Sequence, residues 1–206
     1  MSQPILTCLD MEGVLTPEIW LAVADKTAIQ ELRVTTREIP DYDQLMLKRL
    51  EILKKHEVKL TDIQDVADEL SPLEGAAEFL AWLRERSQVV ILSDTFYEFI
   101  SSFMKQLARP TVFCHTLEVD KNGFIINYHL RKRDQKRESV RAFKNIGFRV
   151  LAAGDSYNDI SMLQEADGGI FFRPPSSIRD EFSQFPVTHT YAELKEGLSR
   201  LGSFAP

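Results

Sequence analysis

The feature that most constrains the fold is an alternation. Four short apolar runs, Ile5 to Leu9, Val89 to Leu92, Val150 to Ala153 and Gly169 to Phe172, are separated by longer amphipathic stretches. Runs this short, several of them rich in β-branched residues, read as strands buried on both faces, and parallel neighbours of that kind need crossover helices between them. The intervening stretches supply the helices. Ala76, Phe79, Leu80 and Leu83, then Phe99, Phe103, Met104 and Leu107, then Val140, Phe143 and Ile146 recur at helical spacing. The pattern predicts an α/β fold with a parallel sheet flanked by helices.

Residues 17 to 70 break the alternation, reading as two or three successive helices with no strand between them. Leu45, Leu47, Leu50, Ile52 and Leu53 predict a well-buried helix there, and Thr61-Asp62 predicts the cap of another. At roughly 150 residues per domain, 206 residues make one domain with a modest insertion. The expectation is a core built from 1–16 and 71–206 and a helical cap over 17–70. Asn122-Gly123, between Leu117-Val119 and Phe124-Tyr128, predicts a hairpin as a local excursion.

Composition removes several function classes. The net charge of −6 opposes broad binding to nucleic acid or anionic lipid, so neither is expected as a partner. Apolar runs fall well short of the roughly 18 residues of a membrane span, and Met1-Ser2-Gln3-Pro4 begins no export signal, so a cytoplasmic protein is expected. Cys8 and Cys114 make no disulfide framework and no zinc spacing. A small charged metabolite remains as the ligand class.

Chemistry gathers where the strands end. The first runs into Asp10-Met11-Glu12-Gly13-Val14, placing a carboxylate at the carboxyl end of a buried strand, the edge where open α/β sheets bind ligands. Such an acid serves as nucleophile, metal ligand or general acid, and an ordinary polar turn fits these five residues equally well. The second ends in Ser93-Asp94-Thr95, read as a helix N-cap or as an anion site at a helix N-terminus, the cap being preferred. The third ends in Gly154-Asp155-Ser156-Tyr157-Asn158-Asp159, whose clustered hard oxygens suit Mg²⁺. Lys136 heads a helix within the basic stretch Arg131 to Arg137, most of which reads as solvated surface.

Taken in order, Asp-x-acid-Gly-Val, Ser-Asp-Thr, Lys and Gly-Asp-x-x-Asn-Asp resemble the four motifs of the haloacid dehalogenase superfamily, in its phosphoserine phosphatase branch. The resemblance extends to Glu18, to Lys48-Arg49-Leu50 in the insert and to Ser71-Pro72-Leu73-Glu74-Gly75-Ala76 at the return to the core. It implies a Rossmann-like core with a helical cap. Pro17-Glu18-Ile19-Trp20 and Thr95-Phe96-Tyr97-Glu98-Phe99, beside the motifs, resemble a bifunctional member that acts as phosphoserine phosphatase and phosphoserine:homoserine phosphotransferase.

By this resemblance Asp10 is the nucleophile, and Mg²⁺ is held by Asp10, the Glu12 main-chain carbonyl and Asp155. Glu12 is the general acid/base, Ser93 and Lys136 contact the phosphoryl group, and Asp159 acts from behind, on a metal-bound water or on Lys136. Asp94 and Asn158 border the substrate. Glu18 meets the substrate ammonium and Arg49 its carboxylate, where a guanidinium makes a bidentate pair. The implied partners are phosphoserine and homoserine, and a homodimer is compatible with the family. Glu12, where the wider branch has Asp, and Asp94, where it has Gly, argue against efficient hydrolysis and agree with transfer. A phosphatase for another small phosphomonoester is the nearest alternative, since only cap residues choose the leaving group. A non-catalytic binding protein is disfavoured because every catalytic position carries a competent side chain. Trp20, Phe96 and Tyr97 are read as pocket lining or core, and Cys8 as core.

Overall fold

The computed structural model describes residues 3–35, 38–39 and 41–204, so Met1 and Ser2 of the N-terminal reading lie outside it. The elements run β1 (Ile5–Leu9), α1 (Ile19–Thr27), α2 (Tyr42–Lys55), α3 (Leu60–Glu69), α4 (Ala76–Arg84), β2 (Gln88–Phe96), α5 (Ser101–Gln106), β3 (Thr111–Val119) and β4 (Ile125–His129). They continue as α6 (Gln135–Asn145), β5 (Arg149–Gly154), α7 (Ile160–Glu165), β6 (Gly168–Phe172), α8 (Ser176–Glu181), β7 (Val187–Thr188) and α9 (Tyr191–Gly202). Among the described residues the strands form one sheet of order β4-β3-β2-β1-β5-β6-β7, parallel except for the β3–β4 hairpin.

Strand β1 sits between β2 and β5, with Leu9 level with Ile91 on one side and Ala153 on the other. The chain therefore changes direction across the sheet at β1, and the carboxyl ends of β1, β2 and β5 open onto one crevice. Side chains alternate across the strands and meet two apolar layers. Leu6, Cys8, Val90, Leu92, Val150 and Ala152 pack with Val140, Met162 and Leu163, whereas Leu9, Ile91, Leu151 and Ala153 join a cluster with Phe79, Leu194 and residues of α1 to α3. Fully buried residues such as Phe79 and Phe103 contribute about 1.5–3 kcal/mol each. The expected α/β fold is what forms.

Several local expectations are corrected. Leu47 is 56% exposed and Leu50 only half-buried, because the buried face of α2 carries Leu45, Met46, Arg49, Ile52 and Leu53 instead. Helix α3 begins before Thr61, and Asp62 reaches back to accept from the Lys59 N–H. Ile146 follows α6 and is 71% exposed. Strand β2 continues through Ser93-Asp94-Thr95 to Phe96, and α5 starts only at Ser101, so Ser93 is neither a helix cap nor a helix N-terminus. Its position comes from pairing with β3, whose register shifts between Leu92 and Phe96. The hairpin is more than a local excursion: β3 belongs to the parallel sheet before turning into β4, and Tyr128 of β4 donates to Asp43 of α2 at 2.5 Å. Phe96 is buried core, and Tyr97 is 41% exposed with its hydroxyl on the Val112 carbonyl.

Candidate active site

Asp10 follows β1, its N–H bonded to the Ala153 carbonyl at 2.9 Å, which draws the β1 and β5 ends together. Its Oδ1 accepts from the Met11 N–H at 2.7 Å, orienting the carboxylate into the crevice. Gly13, at φ +80°, sits where a Cβ would come within 2.5 Å of the Asp155 carboxyl carbon. A side chain there is excluded by both backbone conformation and space. Gly154 plays the same part for Asp159, since a Cβ on it would collide with that side chain. The glycines of the two motifs thus let the acidic loops close on one another.

Carboxylate oxygens of Asp10, Asp155 and Asp159 lie within 4.8 Å of one another. The Lys136 ammonium, in the first turn of α6 and 2% exposed, reaches Asp10 Oδ1 at 2.9 Å and Asp159 Oδ1 at 2.7 Å. Burial alone would lower the Lys136 pKa, but the charges of Asp10, Asp159 and Asp94 outweigh it and hold the ammonium firmly protonated. Asp10 is pushed well above the usual carboxylate range, first by burial and then by the Asp159 charge, against Lys136. Excess negative charge and hard oxygen donors are what a small divalent cation requires, so the donor set fits one. Asp159 is already engaged, with Oδ1 on Lys136 and Oδ2 accepting from the Asp155 and Ser156 N–H groups at 2.9 and 3.0 Å. That leaves Asp10 and Asp155 as the side chains suited to ligation.

Asp94 is ringed by donors. Its Oδ2 accepts from Asn158 Nδ2 at 2.9 Å, while Gln135 Nε2 and His115 Nε2 stand 3.3 and 3.5 Å from Oδ1. Although burial would raise its pKa, Lys136, His115 and Asn158 hold this carboxyl well below the usual range. The negative charge that Asp94 brings beside Ser93 is therefore compensated. Ser93 is buried, and its hydroxyl accepts from the Thr95 N–H.

The insert supplies the opposite wall. Arg49 is 7% exposed, lies 4.6 Å over the Trp20 ring and donates to the Val34 carbonyl at 3.1 Å. Its Nε has no hydrogen-bond partner among the described residues, whereas neighbouring Lys48 is exposed. Burial lowers the Arg49 pKa against the pull of Tyr42, Glu12 and Glu18. Glu12 is raised well above its ordinary value, chiefly by burial and by the Glu18 charge and hydrogen bond. Trp20 answers both readings, packed in the apolar core at 6% exposure and bordering the cleft, and Cys8 is wholly buried core.

All ten predicted site residues converge. Asp10, Glu12, Glu18, Arg49, Ser93, Asp94, Asp155 and Asn158 line a cleft of about 310 Å³, Lys136 borders the neighbouring cleft, and Asp159 is wholly buried against Lys136. A larger cleft of about 710 Å³ opens beyond Asp94, with Tyr42, Asp94 and Asn158 common to both. The sequence reading missed Tyr42, whose hydroxyl donates to the Asp94 carbonyl at 2.7 Å, and gave no role to His115 or Gln135. A histidine ending the apolar run Val112-Phe113-Cys114 was the one local signal for His115.

A family model described as haloacid dehalogenase-like hydrolase matches residues 7–167. The chain is 57% identical over 198 residues to a protein named phosphoserine phosphatase ThrH from Pseudomonas aeruginosa, covering 96% of this chain and 97% of that one. It is 59% identical over 191 residues to a phosphoserine phosphatase from Pseudomonas syringae pv. tomato, covering 93% and 81%. Among solved structures, a substrate-bound phosphoserine phosphatase complex superposes with a TM-score of 0.77 at 20% identity, covering 97% of this chain and 99% of that one, which shows the shared fold. With the motif residues gathered at one crevice, these matches establish that the chain belongs to the haloacid dehalogenase-like hydrolase family.

Proposed function

We propose that this enzyme transfers the phosphoryl group of phosphoserine through an aspartyl-phosphate on Asp10 to water or to homoserine. One observation carries the reading: a buried carboxylate, Asp10, is held against Lys136 at 2.9 Å at the base of a cleft whose cap wall presents Glu18 and Arg49. An α-amino acid ester fits that polarity, its ammonium toward Glu18 and its carboxylate toward Arg49. The names of the two relatives point to the same substrate.

In the first step Asp10 attacks phosphorus, the bond to the serine oxygen breaks, and Glu12 delivers a proton to that oxygen. In the second, Glu12 takes the proton from water or from the homoserine hydroxyl as that oxygen attacks phosphorus, and the bond to Asp10 breaks. Lys136 and Ser93 bind phosphoryl oxygens throughout. Asp10, Asp155 and the Glu12 carbonyl would hold Mg²⁺, which when bound neutralises the meeting of an anionic nucleophile with an anionic phosphate. Asp159 keeps Lys136 and the Asp155 backbone in place. Residues 17–70 act as the cap and 1–16 with 71–206 as the core, placing substrate choice on one unit and phosphoryl chemistry on the other.

The reading is tested by incubation with phosphoserine and Mg²⁺, with and without homoserine, following free phosphate and phosphohomoserine beside a panel of other phosphomonoesters. Turnover of phosphoserine well above the panel is expected. Equal or better turnover of esters lacking the amino acid moiety would overturn the substrate assignment.

A further inference from the structure

Lys136 carries three N–H donors. Two are taken by Asp159 at 2.7 Å and Asp10 at 2.9 Å, and the nearest remaining carboxylate, Asp94 Oδ2, stands at 3.8 Å, outside hydrogen-bond range. A carboxylate that close to a buried ammonium is drawn toward it, since Coulomb attraction strengthens as the environment dries. Something must hold it off.

The side-chain donors around Asp94 supply that restraint. Asn158 holds Oδ2 at 2.9 Å, while Gln135, itself pinned to the Ser93 carbonyl at 2.5 Å, holds Oδ1 at 3.3 Å, and His115 Nε2 stands beside the same oxygen at 3.5 Å. His115 Nδ1 accepts the Arg131 N–H at 3.2 Å, so the ring proton resides on Nε2, which faces Asp94 at 3.5 Å. The ring is 3% exposed and packs edge-on to Tyr42 at 5.8 Å, so it cannot swing away freely.

We propose that His115 is a positioning residue which, with Gln135 and Asn158, holds the Asp94 carboxylate away from Lys136 so that the third ammonium hydrogen stays available to a phosphoryl oxygen. The proposal rests on Lys136 as a phosphoryl ligand. It makes Asp94 a restrained competitor of the substrate, and the restraint is the role of His115.

The test compares the wild type, His115→Phe, Asp94→Asn and the double variant, all with Mg²⁺. His115→Phe keeps an aromatic ring in the slot and loses the donor. It should weaken inorganic phosphate binding and raise KM for phosphoserine about tenfold, with kcat changed less than about threefold. In the Asp94→Asn background, where no charge competes, the same change should shift phosphate binding less than about twofold. His115→Gln, which retains an N–H donor, should recover most of the loss. Equal losses in both backgrounds, or none in the wild-type background, overturn the proposal. If the wild type fails to turn over phosphoserine, the substrate reading falls, while the phosphate titration still decides the restraint. Should His115→Phe not fold, Gln135→Leu is carried through the same two backgrounds with the same deciding outcomes.

Discussion

The Tyr191 hydroxyl donates a hydrogen bond to the Val14 carbonyl at 2.7 Å, so α9 holds the loop that follows Asp10. The ring is stacked between Phe79 at 5.0 Å and Phe172 at 4.8 Å, and Leu73 N–H secures the adjacent Leu15 carbonyl at 2.9 Å. The loop is thus anchored from behind by the hydrophobic layer and from the side by the return from the insert.

Tyr191→Phe retains the stacking and deletes the donor, leaving a partly buried carbonyl unpaired. A loss of about 1 kcal/mol is expected in denaturant titration. An unchanged midpoint at unchanged m would show that water replaces the phenol without cost.

Removing metal should expose the electrostatic strain of the crevice. Folded Asp10 and Glu12 have raised pKa values, so above about pH 5 the folded chain keeps protons that the unfolded chain has released. Their contribution is full at acid pH and is lost as pH rises toward the folded values, at up to about 1.4 kcal/mol per pH unit per group. Asp94, held low, acts only at more acidic pH, and the raised Lys136 only at alkaline pH. Stability in a chelator should therefore fall from pH 5 to pH 8, and Asp10→Asn, which should also abolish turnover and any aspartyl-phosphate, should flatten that slope. A wild-type profile that rises over this window contradicts the assignment.

Asp155→Ala removes a candidate ligand while sparing Lys136 and its two close partners. The Mg²⁺ concentration giving half-maximal activity should rise at least tenfold. A metal titration superimposable on the wild type counts against ligation by Asp155.

Arg49→Ala should cost phosphoserine more than a phosphate ester lacking the α-carboxylate, because only the former loses a charge-assisted pair. The difference in kcat/KM should be about tenfold to a hundredfold, or ~1.5–3 kcal/mol. Equal losses would mark the stacking of Arg49 on Trp20 as structural.

Glu12→Asp should raise the ratio of free phosphate to phosphohomoserine when homoserine is present. The longer carboxyl lies under the Glu18 charge, and a shorter one would serve a mobile water better relative to a bound alcohol. Both products are measured at one homoserine concentration. An unchanged or smaller hydrolysis share, with metal affinity intact, would sink this idea.

Sequence by itself determined the strand and helix alternation, the succession of helices after the first strand, and that Asp10 and Asp155 follow buried strands while Lys136 heads a helix, because periodicity and motif spacing are local properties that survive without knowing what packs on what. Tertiary structure alone decided that β2 runs on through Ser93 to Phe96, since pairing with β3 holds those residues extended where their own preferences fit a helix cap equally well. It also decided the state of Asp94: its donors come from His115, Gln135 and Asn158, on β3, α6 and the loop after β5. Tyr191 reaches Val14 from the far end of the chain for the same reason. Contacts between distant segments depend on sheet order and helix packing, and only there did the Asp94 carboxylate become a compensated one.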